Sequence, residues 1–163
     1  ELSNNELFLK LVPLSDAKRK HKDGQELVLR FLSYSNNYEE FKGQVRIFHN
    51  EFLESNKNIS DADKDKLTSE FEIMLNFVHK NFTYGFRKSE NARSVPRVRY
   101  EAIASGVILA IRHNQSLANR TDINTEWAHT EDFNEKVTAD GANSKPKLKE
   151  RIEYVRDKIL EQI

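Results

Sequence analysis

Apolar residues recur along this chain mostly at intervals of three and four, with polar and charged positions between them. Leu27, Val28, Phe31 and Leu32 form one such stripe, and Asp23 before it is predicted to cap the helix that carries it. Phe41, Val45, Phe48 and Phe52 repeat the spacing in a second helix that ends near Glu54–Asn58. Ser60 opens a third, with Asp61 and Asp63 placed to complement the positive end of its dipole. Leu67, Phe71, Met74, Leu75, Val78 and Phe82 give that helix an apolar face over about 23 residues, or roughly 34 Å.

A polar loop follows Gly85, and Pro96 marks the start of a helix from Arg97 to His113. Its middle is apolar on most sides, which predicts burial, and Gly106 within it is suited to a close helix crossing. A short amphipathic piece runs from Asn124 to about Val137 on Trp127 and Phe133. The turn-forming "TADGANSKP" leads into a terminal helix lined by Leu148, Ile152, Val155 and Ile159. With a weaker N-terminal segment, "NNELFLKLV", this makes an all-α chain: an irregular bundle of about six to seven helices in one domain, residues 1–163. No sustained alternation of the kind that marks strands is present.

Charge and composition narrow the function more than they define it. Lys plus Arg and Asp plus Glu stand at 26 each, so any attraction to nucleic acid must come from a local patch. The absence of cysteine removes disulfides, thiolate metal sites and a cysteine nucleophile. The ten-residue run Ala102–Ile111 is about half of what a bilayer requires. The N-terminus has no basic start followed by an apolar signal core. No membrane partner is expected, and the reading is cytoplasmic. The chain begins with Glu, and a fragment of a longer protein is expected.

The glycines at 24, 43, 85, 106 and 141 are too dispersed for a phosphate loop. The five histidines never pair at i,i+4, and Glu126–His129 is a lone E-x-x-H, whereas a helical di-iron site needs two such pairs and two further carboxylates. No metal site, no cofactor and no catalytic residue are expected. Two basic stretches remain. "AKRKHKD", residues 17–23, reads as a solvated linker ahead of a helix whose dipole repels cations, with phosphate contact as the alternative. "GANSKPKLKERI", residues 141–152, leads into a helix start where free N–H groups favour an anion. Lys145, Lys147, Lys149 and Arg151 there are the candidate DNA contacts, or plain solubilising charge around an ordinary helix start.

At Asp23, Glu26–Phe31, Tyr38 and Phe41–Phe52 the chain resembles the C-terminal helical region of the bacterial domain-of-unknown-function 262 family, which includes GmrSD-type restriction proteins. "RVRYEAIASGV", residues 97–107, is similar to that family's Arg-x-x-(Phe/Tyr)-Glu-Ala-Ile helix, and residues 138–160 are similar to its closing turn and helix. The resemblance implies an N-terminal ParB-like domain elsewhere in a parent chain, where an Asp-Gly-Gln-Gln-Arg motif would serve nucleotide-dependent DNA cleavage. Asp23-Gly24-Gln25 is not that motif: Glu26 and Leu27 replace its Gln-Arg half, and no apolar strand precedes it. The expected role is a non-catalytic domain that supports the catalytic one, with DNA and a second copy of the chain as further partners.

Glu26 and Arg30 stand at i,i+4 in the favourable acid-before-base order, with Arg30 close to the apolar stripe. A buried guanidinium needs a carboxylate, and Glu101 is the long-range candidate beside Glu26. This predicts a structural polar tie between helices. The rival reading is a protein-interaction module docking through Phe41, Phe48 and Phe52, or through Tyr84 and Phe86; a stand-alone enzyme ranks behind both.

Overall fold

The structure, a computed structural model, describes all residues from 1 to 163. The eight α-helices are α1 (Glu6–Leu11), α2 (Asp16–Lys20), α3 (Asp23–Asn37), α4 (Val45–Ser55), α5 (Asp61–Asn81), α6 (Arg97–His113), α7 (Glu131–Lys136) and α8 (Lys145–Leu160). Four short 3-10 turns join them, and there is no strand. Helix starts follow local chemistry: the side chains of Asn5, Ser60, Thr130 and Ser144 each accept a backbone N–H three residues on, opening α1, α5, α7 and α8.

Helix α6 is the axis of the molecule. Thirteen of its seventeen residues are buried, so other helices must cover it on nearly every side. Helices α3, α5 and α8 do so, α8 most extensively. Gly106 permits that approach: a Cβ there would lie 2.5 Å from Cβ of Val155 and 2.7 Å from the carbonyl oxygen of Ile152. The expected α8 stripe, Leu148, Ile152, Val155 and Ile159, is fully buried.

The principal core joins α1, α3, α5, α6 and α8 through residues such as Phe8, Phe31, Phe71 and Tyr100. A smaller aromatic core lies between α3, α4 and α8, where Tyr34, Tyr38, Phe41 and Phe48 meet Leu148 and Ile152. Phe41, Phe48, Phe52 and Phe86 are therefore buried, and a docking face made from them does not exist.

Three local expectations are corrected. The N-cap of α3 is Lys22, in the left-handed region at φ 62°, and Asp23 is the first helical residue with no capping bond. The chain has to turn out of α2 at His21–Lys22 before α3 starts. Asp23 still lies where a negative charge favours the helix dipole. The "AKRKHKD" linker is largely helix: Ser15 caps α2, which buries no residue and so carries no apolar stripe to announce it. Phe41 precedes α4, because Gly43 at φ 87° turns the chain and the helix begins at Val45.

Candidate functional site

The most organised polar cluster lies where α3, α6 and α8 meet. Glu101, on the inner face of α6, is 2% exposed. One of its oxygens accepts from Nη1 of Arg30 at 2.6 Å, and the other from Nη2 of Arg151 at 2.7 Å. Arg30 also donates Nε and Nη2 to Oε1 of Glu26, at 3.0 and 2.7 Å. Arg151 gives Nη1 to the carbonyl of Ala142 at 2.7 Å, pinning the turn before α8. Glu26, Arg30 and Glu101 thus come together, and Arg151 joins them.

The electrostatics follow from that geometry. Burial works against the charge on Arg30, but Glu101 and Glu26 outweigh it and raise the guanidinium pKa above its ordinary value. Burial likewise opposes charge on Glu26, yet the Arg30 hydrogen bond and the fields of Arg30 and Arg97 hold that carboxyl below its usual range. Tyr34 is pushed up to about 12, by burial and then by the field of Glu101. His49, whose ring lies tilted against Tyr34 with centroids 5.5 Å apart, is lowered to about 4 by burial and by Arg30. Both oxygens of Glu101 are engaged by guanidinium donors and shielded from water. The cluster is built to hold helices together.

Sequence reading placed Arg151 on a DNA-contacting surface; the structure places it inside, 1% exposed and bonded to Glu101. Position 151 falls three residues after Leu148 and four before Val155, on the buried stripe itself, which is the signal that would have found it. Lys145, Lys147 and Lys149 are exposed. At about 100° per residue, the first and third share a face and the second points away. Lys147 donates back to the carbonyl of Asp140 at 3.0 Å, and Lys149 lies 3.9 Å from Glu153.

Two further ties were not anticipated. Arg112, at the end of α6, makes a two-pronged bond to Glu70 of α5 and donates to the carbonyl of Ser35 on α3. Its partner is 42 residues away, so no local spacing announces it. Arg99 is fully buried, with Nε donating to the Phe86 carbonyl at 3.1 Å and Nη1 to that of Ala128 at 2.8 Å. Its guanidinium carbon lies 5.1 Å from the Phe133 ring centroid, and no carboxylate reaches it.

No group of three or more His, Cys, Asp or Glu side chains is gathered as for a metal ion. His129, of the E-x-x-H, packs edge-on against Tyr84 with centroids 5.2 Å apart. A cleft of about 460 Å³ opens beside the polar cluster, between the Val12–Leu14 segment, the first turn of α3 and Ser94–Arg97. No helix is long and apolar enough to cross a membrane. Compared with known proteins, the chain matches no family model, no curated protein and no solved structure.

Proposed function

We propose that this chain is a non-catalytic helical domain that supports a neighbouring catalytic domain of the same polypeptide, in a cytoplasmic bacterial protein of the restriction or defence type. The observation that carries the reading is the buried Arg30–Glu101–Arg151 cluster. Its charges are committed to locking α3, α6 and α8 in one arrangement, as a rigid platform requires. The biological context comes from the order of sequence motifs that resembles domain-of-unknown-function 262. Nucleotide use and DNA cleavage belong, on this reading, to the rest of the parent chain, and DNA contact by Lys145, Lys147 and Lys149 is an accessory role. An immunoblot of the native cells with an antibody to this chain tests it. A band far above 19.1 kDa is expected, and a band at 19.1 kDa would leave the domain nothing to support.

A second reading, self-association, is favoured by Ile47 and Leu53, which stand 50% and 52% exposed on α4. Light scattering that reports a dimer, lost on replacing both residues with Ser, would establish it.

A further inference from the structure

The basic segment read as a linker forms one half of a larger basic face. Residues 16–26 and 87–97 together hold eight Lys or Arg against four carboxylates, in a chain whose net charge is zero. One of those four, Glu26, is already engaged by Arg30. The two segments meet in space, since Lys18 and Arg97 line the same cleft of about 460 Å³. A second depression of about 140 Å³ is lined by Arg19 and Lys22, together with Gly24 and Gln25. Leu14 lines both, so the cations of α2 and its following turn are shared between two hollows at the start of α3.

On α8, Lys147 donates to the Asp140 carbonyl and Lys149 lies 3.9 Å from Glu153, which leaves Lys145 alone without such a contact. Lys18, Arg19, Lys20, Lys22 and Arg93 are exposed, and none forms an ion pair. Arg97 approaches carboxylates only at 3.9 and 4.0 Å, beyond hydrogen-bonding distance. The larger cleft is mixed in lining: half-buried Pro13, Leu14, Val95 and Pro96 supply apolar surface beside Lys18, Arg97 and the carboxylates of Asp23 and Glu26. Asp23 in the same cleft is an acceptor of the kind that an exocyclic base amine satisfies.

We propose that this face binds a single-stranded nucleic acid, with phosphates held by Lys18, Arg97 and the α2 cations and an unstacked base set against the apolar walls. Unpaired cations along a track favour a polyphosphate over isolated anions. A concave slot with apolar residues on its walls admits a splayed base, whereas the bases of a duplex are stacked inside and cannot enter. The proposal does not depend on the support role, and its failure leaves that reading where it stands.

The test is fluorescence anisotropy with a labelled deoxycytidine oligonucleotide of about 20 nucleotides, whose bases carry an exocyclic amine and which is long enough to cover more than one groove of this kind. Binding is expected to weaken steeply with salt, and by about tenfold or more in Lys18→Glu/Lys20→Glu. Arg97→Gln should weaken it several-fold, and Lys145→Ala/Lys147→Ala/Lys149→Ala, which removes only the accessory contact, should weaken it by less than either. All of these side chains are exposed, and an unchanged melting temperature verifies that each variant is folded. Absence of binding at low salt would overturn the proposal. So would a loss confined to the α8 variant, or equal affinity for a duplex or for polyglutamate.

Discussion

Helix α6 sends a charged side chain to each of two opposite faces, and the two are treated differently. On one face Glu101 is answered by Arg30 and Arg151, which are 5% and 1% exposed. On the other Arg99 is 0% exposed and has two carbonyls and an aromatic ring, but no counter-charge. The two guanidinium groups accordingly differ in basicity: carboxylates raise the pKa of Arg30 despite burial, whereas burial lowers that of Arg99 to about 10. Burial by itself does not make a charge structurally useful. A charge ties helices together when an opposite charge on another helix shares its enclosure, and otherwise the fold bears a cost that carbonyl dipoles offset only in part.

The largest expected effect is on the paired face. Glu101→Ala leaves two buried guanidinium groups without their shared partner and should lower unfolding free energy by about 3–5 kcal/mol in urea titration. Arg30→Ala should lose a few kcal/mol as well, and an unchanged melting temperature would refute the tie.

Acid should reach the same neighbourhood through His49. Its folded pKa, about 4, lies below the ordinary 6.5, so the unfolded chain binds more protons between those values. Stability is therefore intact above about pH 6.5 and declines as pH falls toward 4, by up to about 3 kcal/mol. His49→Gln should flatten that portion of the pH profile. Glu26, whose carboxyl is held below its usual range, adds its own loss at still lower pH, so the two are separable.

A packing change sharpens the comparison from another side. Gly106→Ala forces α8 away from α6 and should cost about 1–3 kcal/mol by overpacking. Because that movement withdraws Arg151 from Glu101, its effect should be smaller in an Arg151→Met background. The smallest change belongs to the unpaired face: Arg99→Met removes an unanswered buried charge and should fall within about 1 kcal/mol of the parent. A loss as large as that of Arg30→Ala would show that carbonyls and a ring serve as well as carboxylates.

The helices were legible wherever an apolar stripe was continuous. The faces of α3, α5 and α8 followed from spacing at three and four, and the enclosure of α6 from a middle that is apolar on most sides. The boundaries were less legible where a turn depends on backbone conformation, as at Lys22 and Gly43, or where a helix buries nothing, as in α2. The polar cluster was half legible. Glu26 and Arg30 are local neighbours, and Glu101 was a named candidate, but Arg151 was read by the charge of its segment rather than by its position on the stripe. A basic residue among lysines looks like surface, and only its register with Leu148 and Val155 shows that it faces inward. Arg99 stands in register with Ala102 and Ile103 on α6, but its partners are backbone carbonyls that no sequence pattern marks, and the partner of Arg112 lies far off in sequence.

The central claim is that one shared carboxylate couples α3 to α8 through α6. A double-mutant cycle on Arg30→Met and Arg151→Met, read by equilibrium unfolding, tests it most directly. Either change alone leaves Glu101 one hydrogen-bonded guanidinium; both together leave it buried with none in hydrogen-bonding reach, Arg97 standing 4.0 Å away. The combined loss should exceed the sum of the single losses by about 1 kcal/mol or more. Additivity within about 0.5 kcal/mol would contradict the claim.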